Sequence, residues 1–282
     1  MKYLISILLL QFSIFSSLGQ EFEISGIITD SINNPIEYAS IGVLNKSLGT
    51  VSNSNGEFKL ILNCERKSDT LKFSSLGFKS EEFIISKLDT ENTLNIKLKT
   101  FAEPLNEVFL TSKKMKTYTD GKSRTNTKQQ TIFANPDLPN INLGTEIGRK
   151  FKLGDDDPSQ LTKFKFFIKD NNFDSVKFRI NIYTLNNDNR PENKLNIPNI
   201  FTSASKSYTG WIEVDLTPFN IIVKEDIIVA VEWIEHSANG NKLNLPIIIP
   251  SFGSTHYYKF GSQNSWEKYG GISSSMELTY EQ

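Results

Sequence analysis

The chain has 282 residues and a formal net charge of −1. This balance gives no reason to expect nucleic acid as a partner, because nucleic-acid binding needs an excess of basic residues. The length fits about two domains and can bury a proper core. Twenty Phe and nine Tyr exclude wholesale disorder.

Residues 1–19 have the pattern of a secretory signal peptide. An early lysine supplies positive charge, residues 4–15 form an apolar run, and Ser17 and Gly19 place small residues before a cleavage site at Gln20. The run is shorter than the ~20 residues that a membrane-spanning helix needs. We therefore expect export to the periplasm, the outer-membrane surface or the medium, with no transmembrane segment in the mature chain.

Residues 20–111 are predicted to form a first β module. Ile24, Gly26 and Ile28 alternate with residues that face the other way, which predicts a strand. Asn and Pro at positions 33–35 favour a turn, and Asn55-Gly56 is a strong hairpin signal because both residues accept positive φ. The module is therefore a small antiparallel sandwich.

Several motifs of this region follow the order found in a known family. They are Gly26, Thr29-Asp30, Pro35-Ile36, Ala39-Ser40-Ile41, Gly49-Thr50, Asn55-Gly56-Glu57-Phe58 and Ser75-Leu76-Gly77-Phe78. Together they resemble the carboxypeptidase regulatory-like domain of metallocarboxypeptidases and TonB-dependent outer-membrane receptors. Residues 105–110 resemble the segment that closes the module in those receptors, so residues 105–111 are expected to add an edge strand. The resemblance implies a prealbumin-like, seven-stranded Greek-key sandwich without catalytic residues.

Residues 112–143 change character, since lysines and arginine are interleaved with Thr, Ser, Asn and Gln. This composition predicts a polar basic linker that lets the two halves fold separately. The alternative is a basic patch for anionic lipid or polysaccharide. The remaining length after residue 111 is too short for the plug and membrane-spanning part of a receptor.

Residues 144–282 are predicted to form a second, jelly-roll-like β-sandwich, so the fold class is all-β. Alternating apolar residues mark strands at 163–169, 176–183 and 211–216. Residues 227–234 are apolar on both faces and predict a central strand with Trp233 in the core. Further strands are predicted at 243–249, 257–260 and 274–280.

Chemistry that could support catalysis is scarce in the sequence. His236 and His256 start no zinc-binding pair, and catalytic zinc normally needs three protein ligands. Cys64 shares strand parity with apolar residues and is expected to be buried. Consecutive acids at 155–157 lack the alternate spacing of a calcium loop. We predict no metal, no cofactor and no enzymatic activity.

One constellation of outward-facing residues is a candidate ligand-binding site: Arg179, Asn181, Tyr183, Trp211, Glu213 and Asp215. Exposed aromatic rings among hydrogen-bonding groups can stack on sugars or anchor a protein. The expected partner is a glycan or an envelope protein. The alternative is that this face is covered within the molecule, as apolar groups on a sheet usually are.

The sequence thus predicts an exported, non-enzymatic envelope or cell-surface protein with a binding or structural role. The alternative is a glycosidase-like hydrolase that uses paired carboxylates of the second domain, drawn from Glu213, Asp215 and Glu232, since two well-placed acids can suffice for glycoside hydrolysis.

Overall fold

The computed structural model describes residues 21–90, 92–101, 115–134, 143–154 and 157–282. Residues 21–97 contain the seven strands of a first sandwich. They are β1 Glu21–Thr29, β2 Ser40–Val43, β3 Gly49–Val51, β4 Glu57–Asn63, β5 Thr70–Ser74, β6 Glu81–Ile84 and β7 Leu94–Lys97. One sheet has the order β4-β1-β7 and the other the order β3-β2-β5-β6.

The first sandwich follows from alternation and from turn chemistry. In β1, Ile24 and Ile28 are fully buried in the core between the two sheets. Asn33 has φ +68° and Gly56 has φ +76°, so both predicted turns use the left-handed backbone that Asn and Gly tolerate. Cys64 is only partly buried, because β4 ends at Asn63 and a 3-10 turn begins at Cys64. The expectation that it is buried is therefore wrong.

The second sandwich contains sixteen strands in chain order. They are β8 Thr117–Lys122, β9 Gln129–Ala134, β10 Glu146–Phe151, β11 Ser159–Ile168, β12 Asp170–Asn171, β13 Ser175–Leu185, β14 Pro191–Lys194, β15 Ile200–Ser205, β16 Gly210–Asp215, β17 Ile222–Val223, β18 Ile227–His236, β19 Leu243–Ile248, β20 Thr255–Lys259, β21 Glu267–Gly270, β22 Ser273–Ser274 and β23 Met276–Glu281. All of their pairings are antiparallel. The prediction of an all-β fold is confirmed.

Three sheets build this sandwich. The seven-stranded sheet has the order β14-β13-β18-β10-β20-β21, with β15 also paired to β13. The five-stranded sheet has the order β16-β11-β23-β8, with β17 on β11, and a small sheet joins β12, β19, β22 and β9. Alternate residues such as Phe164, Phe178 and Val231 enter one shared core. Trp233 lies in that core and β18 is a central strand, as predicted.

Part of the predicted linker belongs to this second sandwich. β8 pairs with β23 and forms an edge of the five-stranded sheet, while β9 pairs with β19. The expectation of a linker throughout 112–143 is therefore wrong. Its polarity arises because β8 is an edge strand whose first residues are exposed.

Some predictions fall outside the described residues. The signal peptide at 1–19, the edge strand at 105–111, and residues 112–114 and 135–142 of the predicted linker all lie there. No helix in the described part of the chain is long and apolar enough to cross a membrane.

Candidate functional site

Four charged residues stand side by side on the face of the seven-stranded sheet that points away from the core. In the strand register Arg179 is opposite Glu232, Glu232 is opposite Glu146, and Glu146 is opposite Lys259. Neighbouring strands lie about 4.8 Å apart, so the four side chains form a continuous line. We call these four residues the charge row.

Each carboxylate of the charge row is fully engaged. Arg179 donates from Nε to Glu232 Oε2 at 2.9 Å and from NH2 to Oε1 at 3.0 Å. Lys259 Nζ lies 2.5 Å from Glu146 Oε1. Asn181 Nδ2 bridges the two acids, at 2.9 Å from Glu146 and 2.7 Å from Glu232. The bridging amide and the flanking cations offset the repulsion between two adjacent carboxylates.

Burial defines the electrostatics of the charge row. Glu146 and Glu232 are 1% and 2% exposed. Burial by itself raises the pKa of the Glu232 carboxyl, but Arg179 and two lysines outweigh it and hold that pKa below its ordinary value. Burial and the Glu146 carboxylate raise the pKa of the Tyr183 phenol well above 10. At neutral pH Glu232 is therefore an anion and Tyr183 a neutral donor, whose hydroxyl lies 2.8 Å from Glu146 Oε2.

The first sandwich covers this face through Tyr38, which is 1% exposed. Arg179 NH1 donates to the Tyr38 carbonyl oxygen at 2.9 Å. The Tyr38 hydroxyl accepts from Lys177 Nζ and donates to Glu235, each at 2.7 Å. The Lys177 ammonium also lies 4.4 Å from the centroid of the Tyr38 ring. Tyr38 thus anchors the first sandwich on the second.

A second set of contacts joins the sandwiches beside the charge row. Ser262 Oγ donates to the Ile41 carbonyl oxygen at 2.5 Å, and Gln263 Nε2 donates to Ser74 Oγ at 2.8 Å. Gly49 allows this approach, because a Cβ there would lie 2.8 Å from Ser262 Oγ. We call the whole covered surface, from Tyr38 to the charge row, the joint.

The six predicted site residues divide between two sheets. Arg179, Asn181 and Tyr183 lie on β13 in the seven-stranded sheet and are buried. The other three, from Trp211 to Asp215, lie on β16 at the edge of the five-stranded sheet. Their grouping on one face is therefore wrong, because β13 pairs with β14, β15 and β18 whereas β16 pairs with β11.

The half of the predicted site on β16 forms an accessible surface, which we call the Trp211 face. The partly buried Trp211 ring meets Phe167 edge to face, with ring centroids 5.5 Å apart, and Lys165 Nζ lies 5.0 Å from the Trp211 centroid. Glu213 and Asp215 are exposed beside it. Hydrogen bonds from Thr217 lower the pKa of the Asp215 carboxyl. The face combines an aromatic edge with charged groups in water.

Residues 24–110 provide a comparison with a known family. They match the family model of the CarboxypepD_reg-like domain. This match confirms the resemblance seen in the sequence and covers less than half of the chain. The CarboxypepD_reg-like domain is therefore the part of the molecule that places Tyr38 on the joint. No curated protein matches the chain.

Solved structures show weaker similarity. One is the cysteine protease and lectin-like domains of Cwp84, a surface layer associated protein of Clostridium difficile, with 14% identity and a TM-score of 0.37 over 49% of this chain and 32% of that chain. Another is BcpA, the major pilin subunit of Bacillus cereus, with 11% identity and a TM-score of 0.20 over 91% and 69%. This chain therefore spans about a third of the Cwp84 structure, and at these scores the similarities carry no argument about function.

The histidines occupy unrelated places outside the joint. His256 is 4% exposed, and burial lowers its pKa to about 4; its Nδ1 lies 3.0 Å from Ser274 Oγ. His236 packs against Phe173 and Trp233. Across the described ranges, no group of three or more His, Cys, Asp or Glu side chains could hold a metal. Asp155 and Asp156 of the acidic run lie outside those ranges.

The paired carboxylates of the hydrolase alternative do not converge. Glu213 and Asp215 are on the five-stranded sheet, whereas Glu232 is buried in the joint on the other sheet. The acids that do meet are Glu146 and Glu232, and both are nearly inaccessible to solvent. A general acid needs a raised pKa, and that of Glu232 is lowered.

Sequence reasoning missed Glu146, Lys259 and Tyr38 as parts of one arrangement. A signal was present for Glu232, because it is the lone acid in an otherwise apolar central strand, and buried charges are normally paired. Its partners could not be named, because strand pairing decides which residues stand opposite it.

Proposed function

We propose that the protein is exported to the cell envelope or surface, is not an enzyme, and binds glycan through the Trp211 face. The observation that carries the proposal is the accessible aromatic pair of Trp211 and Phe167 among charged side chains. A sugar ring has an apolar face and a polar rim. An indole flanked by hydrogen-bonding groups complements both.

The arrangement of the two sandwiches supports this choice of face. The CarboxypepD_reg-like domain occupies the joint, where Arg179 and Tyr183 are at most 8% exposed. On the Trp211 face, the side chains of Lys163 and Glu213 keep 47% and 58% of their exposure. An external ligand can therefore reach the second face directly. The hydrolase alternative has less support, because its carboxylates are divided between the two faces.

A pair of tryptophan substitutions tests the binding proposal. We expect Trp211→Ala to weaken glycan binding by about tenfold or more, since anchor aromatics contribute roughly 1–3 kcal/mol. The melting temperature should change little, because the ring is partly exposed. Binding is measured on a glycan array and then by calorimetry with the best glycan.

Trp266→Ala is the matched control. Its ring lies on the opposite sheet, 5.4 Å from the Tyr183 ring and 5.2 Å from Lys259 Nζ. This variant should lose stability and keep its affinity for glycan. Equal affinities of wild type and Trp211→Ala would contradict the proposal, as would wild-type capture of an envelope protein and no glycan.

Export is tested separately from binding. Expression in a Gram-negative host followed by mass spectrometry should give a mature chain that begins at Gln20. Retention of residues 1–19 in a cytoplasmic fraction would contradict export and leave the glycan proposal to be judged by the tryptophan pair.

A further inference from the structure

A cavity of about 530 Å³ lies where the two sandwiches meet, beyond the end of the charge row. On one side it is lined by residues 75–78 and Phe101 of the first sandwich. On the other side it is lined by residues 192–196, which include Lys194 at the end of β14. This volume falls within the ~300–1,000 Å³ of small-molecule sites.

The charges around the cavity do not balance. Three cations, Arg179, Lys194 and Lys259, act on the two carboxylates of Glu146 and Glu232. Arg179 and Lys259 already pair with those acids. Lys194 Nζ makes no hydrogen bond or ion pair with any residue in the described part of the chain. It is therefore the surplus cation of this region.

The environment of Lys194 disfavours its charge. Burial, and then the nearby Arg179 guanidinium, lower the pKa of the Lys194 ammonium to about 7. An anion placed in the cavity would supply the missing partner and shift the amine back toward its protonated form. Binding and protonation of Lys194 are then linked.

The lining selects among anions. Lys194 is the one cationic side chain among the described lining residues, and the Glu192 carboxylate also borders the space. A monoanion therefore fits better than a doubly charged phosphate. The side chains of Leu76, Phe78 and Phe101 offer apolar surface for an organic body. We propose that this cavity binds a small organic carboxylate, whose carboxylate group pairs with Lys194.

The test uses the full chain, labelled with ¹³C at lysine Cε, and benzoate as the probe. Benzoate should produce a saturable change in the Lys194 signal and raise its titration midpoint by a unit or more. Benzamide, which has the same shape without charge, should produce neither effect. Inorganic phosphate should bind more weakly than benzoate. Equal effects of benzoate and benzamide, or stronger binding of phosphate, would overturn the proposal.

Two lysine variants establish the site. Lys194→Met should weaken benzoate binding by about tenfold or more, because a charge-assisted contact is lost. Lys194→Arg keeps the cation and should retain part of the affinity. Lys79→Met removes an exposed lysine near the same turn and should leave binding unchanged. Unaltered benzoate affinity in Lys194→Met would overturn the proposal even if the melting temperature falls.

A carboxylate from the chain itself is the remaining alternative. Glu103 lies outside the described residues, two positions after Phe101. If Lys194 titrates above pH 9 in the unliganded wild type and near 7 in Glu103→Gln, the chain supplies the anion and the proposal fails. A midpoint near 7 in both proteins supports an external ligand. This outcome is independent of the Trp211 face, so the two proposals can fail separately.

Discussion

The two outer faces of the second sandwich have similar sequence patterns and opposite fates. Both arise from strands that alternate apolar residues with charged or aromatic ones. On the seven-stranded sheet, Arg179 and Glu232 are covered by the first sandwich and lie 2.8 Å apart. On the five-stranded sheet, Lys163 and Glu213 stay in water at 3.7 Å. Alternation therefore identifies an outward face and does not reveal what lies against it.

The difference in solvent changes what each ion pair contributes. In water, a pair such as Lys163–Glu213 is screened and contributes about 0–1 kcal/mol. In the joint, desolvation of Arg179 and Glu232 is costly, and removing one partner leaves a buried charge without compensation. The joint therefore contributes specificity of docking, whereas the Trp211 face remains available for binding.

The largest predicted effect comes from breaking the charge row. Arg179→Met should lower the free energy of unfolding by about 3–5 kcal/mol, because the Glu232 carboxylate would remain buried without its cation. Urea denaturation followed by far-UV circular dichroism measures the change. A loss below 1 kcal/mol would mean that water reaches the joint and that the two faces do not differ.

A smaller effect is expected from the titration of Lys194. Its pKa in the folded chain is about 7, below the ordinary 10.5. Between these values the unfolded chain binds a proton that the folded chain has lost, so stability should rise with pH from 7 toward 10. The slope is at most about 1.4 kcal/mol per pH unit and is reduced by the partial exposure of the side chain.

Lys194→Met isolates this contribution. The variant should lack the rise that the wild type shows between pH 7 and 10 in thermal unfolding experiments. Above pH 10 both proteins should lose stability, because the folded-state pKa of Tyr183 is raised well above 10. Parallel pH profiles of wild type and variant below pH 10 would show that Lys194 is not the group responsible.

The smallest effect belongs to the exposed pair. Lys163→Met should change the free energy of unfolding by less than about 1 kcal/mol, and the change should shrink further at high salt. Measured beside Arg179→Met under the same conditions, it serves as the exposed counterpart of the buried substitution. A loss as large as that of Arg179→Met would remove the distinction between the faces.

Much of the fold was predictable because it depends on local patterns. The period-two burial of β1, β11 and β18 and the Asn and Gly turns can be read directly from the residues. The strand β8 was missed because Thr117, Tyr118 and Thr119 at an exposed edge look like a polar linker. Edge strands bury little, so their sequences carry a weak signal.

The candidate site was predictable only in part. The outward direction of Arg179 and Trp211 follows from the pleat, which depends on neighbouring residues in the chain. Their separation on two sheets depends on pairing between distant strands, as does the alignment of Glu146 with Glu232. The covering of one face by Tyr38 depends on contacts between two sandwiches, and no local pattern encodes it.

The most direct test of the difference between the two faces is lysine footprinting of the native full-length chain with an acetylating reagent, followed by mass spectrometry. The side chain of Lys163 is 47% exposed on the Trp211 face, whereas that of Lys259 is 12% exposed in the charge row. We predict that Lys163 is acetylated at least about tenfold faster than Lys259, and that unfolding in urea removes the difference. Equal rates in the native chain would contradict the account, since they would show that the charge row is open to solvent.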